Sequence, residues 1–242
     1  MVQLSQAAVK VGGFFSVLVG LTACGGDSQK PANSADDMVI EQEPSDGLEG
    51  VGVSSEIGGL NQDAVDRTFS KSLKDLQACL SRGAEHLEFL GGDVSFFLKV
   101  GQDGHLNHAH LEESTLGDRD TERCMLEALE KRTWPKPVGG DMGLARKSFS
   151  FDMPNDVRPP TDWSQESIEE TLEKLSKEIK ACSASGPFTI TMYVGTEGEV
   201  LAAGVAHTEE NGEAAADCLV STLKEGKFPS PGSWPAKVSF TL

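Results

Sequence analysis

Val94-Ser-Phe-Phe-Leu-Lys-Val-Gly-Gln-Asp-Gly104 and Phe188-Thr-Ile-Thr-Met-Tyr-Val-Gly-Thr-Glu-Gly198 lie 94 positions apart and carry one pattern. Apolar side chains recur at every second residue, which puts Val94, Phe96, Leu98 and Val100 on one face of a strand, and Phe188, Ile190, Met192 and Val194 on the same face of another. The glycine pairs Gly101/Gly104 and Gly195/Gly198 then bound a turn into a second strand, so each stretch is half of a hairpin with one buried face. The register continues without a gap: Ala109 meets Ala203, Cys124 meets Cys218, Leu129 meets Leu223, and Trp134-Pro135 meets Phe228-Pro229. The chain is an internal duplication, and the architecture of one copy is the architecture of both.

Outward from each hairpin the same elements follow. Before it, Val65, Phe69, Leu73, Leu76 and Leu80 recur at helical spacing, as do Ile168, Leu172, Leu175 and Ile179, with a cysteine near each helix end. After it, a second helix presents Cys124, Met125, Ala128 and Leu129, matched by Cys218, Leu219, Thr222 and Leu223. A last strand alternates Phe149, Phe151 and Met153 with serines, and Val238, Phe240 and Leu242 with Ser239 and Thr241. The order α-β-β-α-β predicts an α+β fold: two tandem repeats, each a three-stranded antiparallel sheet with two helices packed on one face. The repeats span 61–153 and 163–242, joined by a linker at 154–162 that Pro159-Pro160 stiffens.

The N-terminal 60 residues read differently. Lys10 and the apolar run Val11 to Thr22 have the form of an export signal over 1–23, too short for a comfortable membrane span. Residues 24–60 are rich in Gly, Ser, Asp, Glu, Pro and Asn with no sustained apolar period, and are expected to form a disordered acidic tether with a root-mean-square span on the order of 35 Å. The whole chain of 242 residues carries 38 acidic and 21 basic side chains, a formal charge of −17, with no acidic residue before Cys24. Such a surface repels phosphate backbones and anionic headgroups, and without a cluster of Lys and Arg nucleic-acid binding is excluded.

Leu21-Thr22-Ala23-Cys24 resembles the lipobox of bacterial lipoproteins, and by that resemblance Cys24 is lipidated and becomes the mature N-terminus. Gly25 stands where inner-membrane retention signals have Asp, which favours the outer membrane, facing the periplasm or the cell surface. The repeats themselves resemble the TonB C-terminal-like family. The resemblance lies in a helix ending in Cys, the V-x-F-x-L-x-V strand from Val94, the G-x-x-G turn, a second Cys-bearing helix and the Trp134/Phe228-Pro exit. The paired cysteines are similar to those of the AgmX/PglI C-terminal domain of gliding-motility and other envelope proteins. The resemblance implies a periplasmic binding or adaptor module for another envelope protein, and names no ligand. The sequence departs from an energy-transducing TonB in having no permanent inner-membrane helix and no long Pro-rich spacer.

Five cysteines then divide as one lipidated residue and one pair per repeat, which predicts disulfides Cys79–Cys124 and Cys182–Cys218 in an oxidising compartment. Each closes a loop of roughly 40 residues and stabilises by about 4 kcal/mol in the chain-entropy picture. A catalytic or metal-binding thiol is the alternative, and the absence of a C-x-x-C motif argues against it. One further constellation could carry chemistry: His105-Leu-Asn-His108-Ala-His110-Leu-Glu112. On a strand with Leu106, Ala109 and Leu111 inward, His108, His110 and Glu112 share the outer face as a candidate weak site for a divalent transition metal. The plainer reading is a solvated strand face, and the second repeat has Glu199, Ala202 and Gly204 where the first has His105, His108 and His110.

Nucleophile elbows, phosphate-cradling loops and H-E-x-x-H motifs are absent from the sequence. The acidic pairs Glu112-Glu113 and Glu209-Glu210 point to opposite faces of a strand, and Trp134 and Phe228 read as core plugs. Three functions are compatible with these features: a scaffolding lipoprotein whose open sheet edges pair with an extended segment of an envelope protein, a metal-binding lipoprotein using the histidines, and a hydrolytic or cell-wall enzyme. The first, with no enzymatic activity and no cofactor, is the expectation, because strand addition uses main-chain hydrogen bonds and needs no distinctive side chains.

Overall fold

The computed structural model describes residues 57–153, 156–182 and 186–242. The lipobox, Cys24 and the segment read as a signal lie outside the described residues, as does most of the expected tether.

The first repeat consists of β1 (Ile57–Gly58), α1 (Gln62–Ala84), β2 (Gly92–Gly101), β3 (Leu106–Ser114), α2 (Arg119–Glu130) and β4 (Met142–Phe151). The second consists of β5 (Thr161–Trp163), α3 (Glu169–Lys174), α4 (Ser176–Ala181), β6 (Phe188–Val194), β7 (Val200–His207), α5 (Glu213–Glu225) and β8 (Ala236–Thr241). The fold is α+β, with sheet orders β1-β4-β2-β3 and β5-β8-β6-β7. The three long strands of each sheet are antiparallel, and each sheet gains a fourth, short strand running parallel to the last one. These added strands correct the three-stranded expectation. β1 falls in the segment read as tether and β5 runs from the segment read as linker into the second repeat; two or three residues are too few for a readable period.

Alternation places the core as the sequence indicates. Val94, Phe96, Leu98 and Val100 are almost fully buried against α1 and α2, and Phe188, Ile190, Met192 and Val194 are buried in the second core. Helix α1 starts where Asn61 accepts a hydrogen bond from the Ala64 amide at 2.9 Å, and α2 where Asp118 accepts from the Thr121 amide at 3.2 Å. In the second repeat the helix expected through Ile168, Leu172, Leu175 and Ile179 is broken: a 3-10 turn at Gln165–Ser167 precedes α3, and the chain leaves helical geometry at Leu175 before α4. Leu175 there packs onto the backbone at Gly226.

The two glycine motifs have one geometry. Gly104 and Gly198 have φ of +86° and +83°, a region open to glycine and strained for other residues. Their carbonyls accept the amides of Trp134 and Phe228, both at 2.8 Å, which ties each hairpin tip to the aromatic-Pro exit. Trp134 is buried edge-on against Phe69 with ring centroids 4.8 Å apart, and its indole N–H donates to the Leu129 carbonyl. The cysteines of each repeat meet across its helices: Cys79 and Cys124 are bonded with Cα atoms 5.8 Å apart, and Cys182 and Cys218 with Cα atoms 5.5 Å apart.

Candidate interaction site

An open sheet edge is a row of unpaired main-chain donors and acceptors, and this fold closes most of its edges. The inner edges β3 and β7 pack against each other between the repeats. The Val205 amide on β7 donates to the carboxylate of Glu122, which is fully buried and also accepts from Ser114 Oγ at 2.6 Å. Burial pushes the Glu122 carboxyl above its ordinary range, against the opposing pull of the Ser114 hydroxyl and the Arg119 guanidinium. Tyr193, buried at the same junction, donates to the Leu116 carbonyl at 3.0 Å, and Thr191 Oγ1 donates to the Ser114 carbonyl at 3.2 Å. Tyr193, Ala202 and Ala206 of the second repeat are packed into the first repeat's core.

The outer edges differ from one another. On β8, β5 covers Ala236 to Val238, which leaves three residues, Ser239 to Thr241. On β4, β1 covers only Met142 and Gly143; among the described residues the eight from Leu144 to Phe151 have β2 on one side and no strand on the other. The polar side chains along this stretch are paired with neighbours in the same repeat. Arg146 Nε donates to both Glu112 oxygens at 2.9 and 3.0 Å, with its guanidinium 4.6 Å above the Phe97 ring. Lys147 pairs with Asp66 on α1 at 3.0 Å, Ser148 Oγ meets Ser95 Oγ at 2.6 Å, and Ser150 Oγ donates to Asp93 at 2.6 Å. Phe149 leans into the aromatic cluster of Phe69, Phe96 and Phe151. The main chain of β4 is thus left as the open feature of that edge, long enough to take a strand of ordinary length.

The histidines do not form the wholly solvated strand face that was the plainer expectation. A register shift between Lys99 and Val100 does turn Leu106, Ala109 and Leu111 to the core, so His108 and His110 share the opposite face. That face is not solvent at His110, which is 2% exposed: its ring is stacked between Phe97 at 4.8 Å and His207 of the second repeat at 5.3 Å. His108 Nε2 lies 2.9 Å from His110 Nδ1, Glu112 turns to Arg146, and His105 stays in the exposed turn. Among the described residues no three His, Cys, Asp or Glu side chains are placed to hold a metal ion, and His108 and His110 pair with each other while Glu112 is turned to Arg146. Burial, then the neighbouring His207 and His108, push His110 down to about 4. His207 Nε2 is 3.0 Å from Glu213 Oε1. Burial raises Glu213, but the His207 contact and the Arg119 guanidinium outweigh it and hold the carboxyl at about 2.

Arg119, Glu122, Tyr193 and His207, the polar residues of the junction, stand in no local sequence pattern that marks them as such. Only Arg119 carries a signal in the alignment of the repeats, where Glu213, of opposite charge, holds the equivalent position. Of the acidic pairs, Glu112 is held by Arg146 and Glu210 by Lys99, both as structural partners. Among the described residues no helix is long and apolar enough to cross a membrane.

Comparison with known proteins adds little to this geometry. No protein-family model matches the chain, and no curated protein matches it. Among solved structures, the solution structure of the TonB C-terminal domain of Helicobacter pylori is similar to 40% of this chain and 98% of that domain, at 17% identity and a TM-score of 0.26, too low a similarity to carry inference.

Proposed function

We propose that this chain is a non-enzymatic, lipid-anchored envelope protein that binds an extended segment of another envelope protein along the open edge of β4. The observation that carries this reading is the run from Leu144 to Phe151, uncovered among the described residues, beside three other sheet edges of which two are packed against each other and one is half capped. An incoming strand would add main-chain hydrogen bonds to β4, and its side chains would alternate between the Arg146/Ser148/Ser150 face and the Lys147/Phe149 face. Two disulfides suit an oxidising compartment. Lipidation at Cys24, an outer-membrane position, a tether reaching about 35 Å, and membership of the AgmX/PglI type rest on the sequence resemblance and belong to the same proposal. The reading assigns one strand-accepting edge per chain, because β5 leaves too little of β8 for a second.

The test is photocrosslinking in intact envelopes from a probe at Ser148, with probes at the exposed positions Lys74 on α1 and Glu127 on α2 as controls. The expected result is one envelope protein joined through a short segment from Ser148 alone. Equal labelling from all three positions, or none from Ser148, would refute the proposal.

A further inference from the structure

The 94-residue register makes Arg119 equivalent to Glu213, and Arg123 equivalent to Asp217. The structure joins these same residues: Arg119 Nη2 lies 2.5 Å from Glu213 Oε2, and Arg123 Nη2 lies 2.5 Å from Asp217 Oδ1, with Arg119 Nε bridging to Asp217 at 2.9 Å. A residue can touch its own equivalent only close to a two-fold axis relating the two copies. Two such contacts, one helical turn apart, place that axis between the first halves of α2 and α5. Contacts away from the axis come in exchanged pairs, as two-fold symmetry demands. Lys99 reaches Glu210 on one side, and Tyr193 reaches Leu116 on the other, where Lys99 and Tyr193 are equivalent positions and so are Leu116 and Glu210.

At a true two-fold axis identical side chains would meet. A pair of first repeats would gather four arginines there, and a pair of second repeats four carboxylates; only the mixed pair is neutral. Shape repeats the distinction. Glu122 lies against Gly204, where an added Cβ would stand 2.3 Å from Glu122 Oε1. The first repeat has His110 at the position equivalent to Gly204, and the second has Ala216 at the position equivalent to Glu122. Two first repeats would therefore drive Glu122 into His110, and two second repeats would leave Ala216 facing Gly204 across a gap. Attraction in the mixed pair and repulsion or misfit in both like pairs are the two halves of binding specificity.

We propose that the repeats are a built-in heterodimer: the α2 face of the first repeat is a docking surface specific for the α5 face of the second, with Arg119, Arg123, Glu213 and Asp217 setting the specificity. This surface, rather than the linker, holds the two repeats in register, and it does not depend on what β4 binds.

The test uses the full chain, folded and oxidised, with a protease site inserted between Met153 and Asp156 and cut afterwards. Sedimentation of the cut protein should show the two halves as a 1:1 complex. Arg123→Glu, at a half-exposed position, should weaken that complex by about tenfold, and Arg123→Lys, which keeps the charge facing Asp217, by far less. Unbroken disulfides and cooperative unfolding of the uncut variants establish that each half is intact. Halves of the unmutated protein that separate on cutting would overturn the proposal, as would an Arg123→Glu complex that is as tight as the unmutated one or no weaker than that of Arg123→Lys.

Discussion

Acidification should loosen the junction between the repeats through His110. The imidazole is 2% exposed, stacked between Phe97 and His207, with His108 beside it on β3, Arg146 reaching over from β4 and Glu213 behind His207 on α5. Its native pKa is pushed down to about 4, whereas an unfolded chain restores the ordinary value of about 6.5. A lowered histidine is neutral in both states above pH 6.5 and contributes nothing to pH dependence there. As pH falls from about 6.5 to about 4, the unfolded chain takes up a proton that the folded one refuses, so stability declines over that window and levels off below it. The full difference corresponds to about 3 kcal/mol, a large part of the stability of a domain this size. Glu213, held at about 2, loses its contribution only as pH falls through its own lower range, so the two effects are separable. The assay is urea unfolding at several pH values between 7.5 and 4, for the protein and for His110→Gln, which stays neutral throughout. The difference between the two curves should widen in the protein's disfavour as pH falls from 6.5 to 4. Parallel curves across that window would show that His110 is solvated and that the packing of the junction is misread.

Removing either disulfide by paired Cys→Ala substitution, Cys79 with Cys124 or Cys182 with Cys218, should cost about 4 kcal/mol in denaturant unfolding, since the closed loops span 45 and 36 residues. Tyr193→Phe removes the donor to the buried Leu116 carbonyl while keeping the ring, so a loss of about 1–2 kcal/mol is expected by the same measurement. Gly198→Ala combines a strained φ of +83° with a Cβ only 2.0 Å from the Phe228 carbonyl oxygen; a loss of about 2–4 kcal/mol is expected, with the second hairpin's amide shifts moving most.

Periodicity was strong enough to reveal the duplication, the hairpins and both cores, because each rests on four or more apolar residues at fixed spacing whose burial is local to one repeat. The residues it misplaced are those whose surroundings come from the other repeat. Nothing local to Leu106–Ser114 tells that the outer face of His110 meets His207 rather than water. Glu122 reads as one more charge on an amphipathic helix until Val205 and Gly204 are brought to it. Strands β1 and β5 escaped notice for a different reason: pairing of two or three residues is dictated by the neighbouring strand, not by their own pattern. These same additions decide which edge is left open, so the choice of β4 over β8 needed the structure. The clue that could have been read early was the sign reversal at Arg119/Glu213 and Arg123/Asp217, visible once the repeats are aligned.

The most direct test of the central claim is hydrogen exchange resolved along Leu144–Phe151 in the full chain, alone and with the segment captured by the Ser148 crosslink supplied as a synthetic peptide. The outward amides of β4 should exchange rapidly in the free protein while those of β2 are protected, and the peptide should slow the β4 amides selectively. Protection of all β4 amides in the free protein, or a peptide that binds without changing them, would contradict it.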